Sequence, residues 1–192
     1  PGNETPQPKK VLSLIFSLIA AIQFGLSYEL LTVLILTWFL IAISFIDFKH
    51  QILPDLLTLP LLWIGLFVSC LELFTNSHDA ILGAIFGYLF FWLINTLFKL
   101  FAKKDGLGQG DFKLLAAGGA WLGWQLLPFI ILTSSVLALF FGIGMLATKR
   151  QNRRTPIPFG PFIAIAIWLG IIWGFDFTQS YLQLFGIAWS NV

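Results

Sequence analysis

Two aspartates are the residues best placed to do chemistry in this chain. Asp47 closes one apolar run, at Asp47-Phe48-Lys49-His50, and Asp111 opens another. They are more than sixty residues apart in sequence, yet each falls at the end of a segment that reads as a helix. If packing brings two such carboxylates together, they cannot both ionise easily; one proton is shared and the pair titrates as a unit. Such a pair can hydrolyse a peptide bond. The ionised member takes a proton from water while the protonated member polarises the scissile carbonyl. Spacing alone leaves a second reading open, in which each is an isolated interfacial charge neutralised by Lys49 or Lys113, two residues on.

The surroundings of Asp111 stand out from the rest of the chain. Lys103-Lys104-Asp105-Gly106-Leu107-Gly108-Gln109-Gly110-Asp111-Phe112-Lys113 holds five ionisable groups in eleven residues, where charged residues are only 10% of the whole. Three glycines in five positions give a backbone that can bend tightly and lie close to another chain. That openness suggests that Gly108 and Gly110 let an unwound stretch of substrate approach Asp111.

Composition decides what must position these groups. Hydrophobic residues are 58% of the chain, outside the range of soluble domains, and apolar runs recur that are long enough to cross a hydrocarbon core of ~30 Å as helices. Continuous runs such as Leu30–Ile46 do not alternate, which excludes a transmembrane β-barrel. The expected fold is all-α, a polytopic transmembrane bundle of about seven segments, one of them short. A lone Cys70 excludes a cysteine metal cluster and an intramolecular disulfide, and reads as a small packing residue. His50 and His78 fall at opposite ends, so no paired-histidine metal site is expected. A net charge of +2 gives no reason to expect nucleic acid as a partner; the lipid bilayer is one. No signal-peptide pattern opens the chain, which begins without Met, and native sequence is expected upstream.

Residues 1–10 read as a polar lead-in, disordered to residue 8, with Lys9-Lys10 anchoring a first span over roughly 11–27. Further spans are expected at roughly 30–46, 56–74 and 80–101. The next apolar segment, about 112–124, is short and glycine-rich, a partial or tilted crossing. A sixth span runs to about 147, a basic loop covers Lys149 to Arg154, and Pro156 to Pro161 make a rigid re-entry into a seventh ending near Phe175. Residues 11–176 would form the core, and 177–192 a tail lying along the interface. Asn76, Ser77 and Asp79 are each able to cap the fourth span. Asp55, just after Pro54, suits a first helical turn as well as it suits a functional role. Asn95 is expected to hydrogen-bond between helices, and Trp38, Trp121, Trp124 and Trp173 to sit at headgroup level. Gly83-x-x-x-Gly87, Gly119-x-x-x-Gly123 and Gly170-x-x-x-Gly174 offer small faces for close helix approach.

With these spans every Lys and Arg falls on one side of the membrane, and the other side carries only Glu29, Glu72, Asp79 and Asp176. The positive-inside rule then puts the N-terminus, Asp47, Asp55, Asp105 and Asp111 at the cytoplasmic face. This charge pattern holds only if the short fifth segment is counted as a crossing.

Three blocks carry a family resemblance. Gly108-Gln109-Gly110-Asp111-Phe112-Lys113-Leu114 matches the Gly-x-Gly-Asp-x-Lys-Leu signature of type IV prepilin peptidases, which are membrane aspartic proteases. The block Phe45-Ile46-Asp47-Phe48-Lys49-His50-Gln51-Ile52-Leu53-Pro54-Asp55, continuing to Trp63, resembles a second, and Ile157-Pro158-Phe159-Gly160-Pro161-Phe162 a third. The resemblance covers about residues 30–165 in the expected order. It implies that Asp47 and Asp111 are the catalytic pair, with Gly108, Gly110, Lys113 and Asp55 as supporting motif positions, Asp55 not itself catalytic. It also implies a bacterial inner-membrane enzyme that cuts the short basic leader from prepilins and pilin-like secretion subunits at the cytoplasmic face. No cofactor is implied for proteolysis. Many members carry an N-terminal transmembrane helix and a cytoplasmic domain with two Cys-x-x-Cys pairs, and also methylate the new N-terminus with S-adenosylmethionine; Pro1–Lys10 would stand where that domain ends. Two alternatives are a transporter or channel using membrane carboxylates for cations or protons, and a presenilin-like protease, whose Pro-Ala-Leu element the segment around Pro158–Phe162 lacks. Oligomeric state is open.

Overall fold

The computed structural model describes residues 8–103, 106, 108–147 and 158–174. The lead-in before residue 8, Lys104, Asp105, Leu107, the basic loop Lys149 to Arg154, Pro156 and the tail 177–192 lie outside the described residues. Among those described, the secondary structure is helical throughout: α1 (Pro8–Phe24), α2 (Tyr28–His50), α3 (Asp55–Ser69), α4 (Ser77–Ala102), α5 (Gln109–Leu122), α6 (Leu127–Ala147) and α7 (Gly160–Leu169). A 3-10 turn, Trp124–Leu126, leads into α6, and a π-helical turn, Gly170–Gly174, extends α7. Three helices (α2, α4, and α6 with its leading turn) are long and apolar enough to cross a membrane. With the shorter apolar helices around them, they form the expected helical membrane bundle.

Local sequence explains most of the boundaries. The Ser27 hydroxyl accepts the Leu30 N–H to start α2, and Asn76 accepts the Asp79 N–H at 2.8 Å to start α4. Lys103, left-handed at φ 53°, ends α4 through its N–H to the Lys99 carbonyl. Several boundaries differ from expectation by three residues or more, among them both ends of α1 and the start of α4. Helix α2 continues past Asp47 to His50, because Gln51 adopts the left-handed conformation that stops it. Helix α3 stops at Ser69, and α5 begins at Gln109, which puts Gly110 and Asp111 inside its first turn.

The short α5 is the centre of the bundle. Eleven of its fourteen residues are buried, and its neighbours are α3, α4, α6 and α7. Lipid gives apolar helices no hydrophobic reason to associate, so close backbone approach and hydrogen bonds must do so. Both are present. A Cβ on Gly83 of α4 would lie 2.7 Å from the Gly119 carbonyl carbon, and one on Gly87 2.8 Å from the Leu115 oxygen. On the α3 side, Gly65 leaves room for the Trp121 indole, whose N–H donates to the Leu61 carbonyl at 2.9 Å. Trp121 is therefore a buried packing residue, not a headgroup anchor, whereas Trp38, Trp124 and Trp173 are exposed. Cys70 is exposed just beyond α3, correcting its reading as a packing residue. Helix α7 joins α2 through the Trp168 indole N–H on the Thr37 hydroxyl at 3.2 Å, with Phe16 of α1 edge-on to the same indole at 4.5 Å.

Contacts between helix ends order the bundle. The end of α2 meets the start of α7, and the start of α3 meets the start of α5. At the opposite end the start of α4 meets the turn before α6, where Trp124 and Gln125 both donate to Asp79.

Candidate active site

Asp47 sits one turn before the end of α2 and Asp111 in the first turn of α5, both at the same end of the bundle. Their side chains are buried, at 5% and 7% exposure, which is unusual for carboxylates and requires partners. Asp47 Oδ2 accepts the backbone N–H of Gly160, the first residue of α7, at 3.0 Å. Asp111 turns back on its own helix start, bonded to the Gly108 backbone. The two carboxyl groups lie within electrostatic reach of each other. Three chain segments that are far apart in sequence thus supply one site: the end of α2, the start of α5 and the start of α7.

The supporting residues fall into a different pattern. Lys113 does not neutralise Asp111; its ammonium pairs with Asp55 Oδ1 at 2.6 Å, tying the start of α3 to the first turn of α5. The reading of Asp111 as a charge cancelled by the lysine two residues on therefore fails. Leu53, in the connector between α2 and α3, fills the space in front of two glycines. A Cβ on Gly110 would collide with the Leu53 side chain, and one on Gly160 would lie 3.0 Å from Leu53 Cδ2. Gly110 thus has a packing role in this structure, and the backbone openness expected of it is taken up by Leu53. At Gly108 a Cβ would meet Asp111 Oδ2 at 3.3 Å. Asn95 accepts the Gly106 N–H at 2.9 Å and so holds the glycine stretch against α4.

Sequence reasoning missed Gly160 as a partner of Asp47. The bond comes from backbone, so no side-chain type announces it; the only signal was the Pro158-Phe159-Gly160-Pro161 block at a helix start. Beside the site an apolar cavity of ≈ 250 Å³ opens between α1, α2 and α7. Its walls include Phe48 and Pro161, the chain neighbours of Asp47 and Gly160, but neither aspartate. Its two hydroxyls, Thr37 and Ser44, already donate to carbonyls of their own helix.

Chemically, the arrangement suits proton transfer by a carboxyl pair. Among the described residues no group of three His, Cys, Asp or Glu is placed to hold a metal. The ion-conducting alternative finds no support: the buried hydroxyls of Thr37, Thr58, Ser69 and Ser134 all donate to carbonyls of their own helices.

A sequence profile described as the type IV leader peptidase family matches residues 34–143, which include both aspartates. The chain is 50% identical over 164 residues to a prepilin leader peptidase/N-methyltransferase of Pseudomonas aeruginosa, covering 85% of this chain and 57% of that protein. A protein of the same name from Stutzerimonas stutzeri is 52% identical over 161 residues, covering 84% and 56%. Another, from Aeromonas hydrophila, is 46% identical over 176 residues, covering 92% and 61%. The chain therefore spans less than two thirds of the length of these relatives. No solved structure matches it significantly.

Proposed function

Because this chain belongs to the type IV leader peptidase family, we propose that it is a membrane aspartic endopeptidase that removes the short basic leader from prepilins and pilin-like secretion subunits. The observation that carries the proposal is the meeting of Asp47 and Asp111, buried and within electrostatic reach, from helices far apart in sequence. One carboxyl is ionised and takes a proton from water as the water oxygen bonds to the scissile carbonyl carbon. The other, protonated, gives its proton to the carbonyl oxygen, so that no full negative charge forms there. When the tetrahedral diol collapses, the carbon–nitrogen bond breaks. The leaving nitrogen takes the proton held by the first carboxyl, and one diol hydroxyl returns its proton to the second. The pair ends in its starting protonation state.

The described residues Lys10, Lys49, Lys99, Lys103 and Lys113 cluster toward the end of the bundle that holds the site, which supports placing that end at the cytoplasmic face of a bacterial inner membrane. The relatives' name also includes N-methyltransferase, the activity for which the resemblance implies S-adenosylmethionine. The apolar cavity beside the site does not fit its charged and polar ends, since both hydroxyls in the wall are already committed, so no methylation step is assigned to these residues. Proteolysis by the carboxyl pair requires no metal.

The test is cleavage of a model prepilin by the purified protein in lipid. Wild type should release the leader with a chelator present, and Asp47→Asn and Asp111→Asn should each fail to do so while remaining folded and inserted. Cleavage at a near-normal rate by either variant would overturn the assignment.

A further inference from the structure

The start of α7 has few backbone donors to offer, and one of them goes to Asp47. Any helix leaves its first N–H groups without intrahelical partners. In α7 the N–H groups of Phe162 and Ile163 are both taken by the Phe159 carbonyl, and Pro161 has none. That leaves Gly160, whose N–H reaches Asp47 Oδ2 at 3.0 Å in a buried setting. The side that a Cβ would occupy is closed as well: it would stand 2.7 Å from Asp47 Oδ2, 3.2 Å from Asp47 Cγ and 3.0 Å from Leu53 Cδ2. Both the donor and the missing side chain therefore face the same carboxylate. Phe159, against Phe91 of α4 at 6.0 Å, holds this helix start from the other side.

We propose that Gly160 is a positioning residue for hydrolysis, its N–H fixing the Asp47 carboxylate against rotation so that the second oxygen alone is left for the reacting water. The proposal rests on the proteolytic reading above. It assigns the Pro158–Phe162 block to the site itself, as the element that holds one member of the pair. A carboxylate on a flexible side chain can turn through two bonds, and commitment of one oxygen to a helix start removes that freedom before substrate arrives.

The experiment compares kcat and KM for a model prepilin in lipid across wild type, Gly160→Ala, Leu53→Ala and the double variant. Gly144→Ala serves as a control glycine, since a Cβ there meets nothing within 4 Å. Gly160→Ala should lower kcat about 10- to 100-fold with KM little changed. Leu53→Ala clears Leu53 Cδ2 but not Asp47, so adding it to Gly160→Ala should restore nothing relative to Leu53→Ala alone. Replacing Gly160 by glycolic acid removes the N–H without adding bulk, and decides the matter if the alanine variant does not fold. It should show the same loss of kcat. A kcat within about twofold of wild type for the ester, or rescue of Gly160→Ala by Leu53→Ala, would overturn the proposal. A wild type and Gly144→Ala that both leave the prepilin uncut would instead overturn the proteolytic reading, and the role of Gly160 would fall with it.

Discussion

Lys113 follows Asp111 by two residues, yet its ammonium reaches across to Asp55 on another helix. The pairing decides what each acidic residue is for. Asp55, 57% exposed, is the partner of a surface ion pair, a type worth about 0–1 kcal/mol. Asp55→Asn and Lys113→Met should therefore cost little stability, lowering a melting temperature in detergent by a few degrees at most and leaving leader cleavage measurable. Among the described residues no lysine pairs with Asp47 or Asp111, and their burial is matched by backbone donors. Loss of either carboxyl from the proposed pair should cost roughly 10²–10⁴-fold in kcat, read by initial rates of leader release. The two aspartates were visible in the sequence as charges closing and opening apolar runs, but their meeting was not. Spacing cannot say which helix ends touch, and a backbone donor such as Gly160 leaves no mark in residue type.

At the scale of elements, the pair α4 and α5 is held where two backbones touch. Gly83 and Gly119 face each other with no side chain between them, and a Cβ on either would meet main-chain atoms of the other, which cannot rotate away. Gly119→Val should force the helices apart and destabilise the protein by about 1–3 kcal/mol or more, lowering the melting temperature and, because Asp111 rides on α5, cleavage as well. Trp121→Phe is a milder probe of the α3 side. It keeps an aromatic ring but removes the indole N–H that bonds the Leu61 carbonyl and leaves space where the larger ring packed, for a cost of roughly 1–3 kcal/mol measured as a shift in thermal unfolding. The small-residue faces were legible as Gly-x-x-x-Gly, because only glycine leaves such a gap. The boundaries of α2 and α5 were less legible. A left-handed Gln51 is not a residue type that predicts a stop, and the Gln109 start lies inside a polar stretch that reads as loop.

For the molecule as a whole, the apolar composition made the bundle legible, and the charges supplied the proposed orientation. The lone cysteine allows that orientation to be tested. Cys70 is exposed at the end of α3 opposite the site. In intact cells a membrane-impermeant maleimide should label Cys70 and, in a Cys70→Ser background, should not label a cysteine placed at Lys103 beside the site until the membrane is opened. The reverse pattern would invert the topology. What composition could not show is that the short helix α5 lies innermost, because hydropathy measures how well a segment suits lipid and not what surrounds it. Biogenesis inherits a problem from that placement. At about 21 Å, α5 is too short to span the hydrocarbon core, and it presents hardly any surface to lipid. A translocon releasing segments one at a time would find no stable resting place for it alone. Helices α3 and α4 must already be waiting, so that α5 enters as a guest of the partly built bundle. Asp111, one member of the proposed pair, is thereby delivered by a helix too short to settle in the membrane unaided.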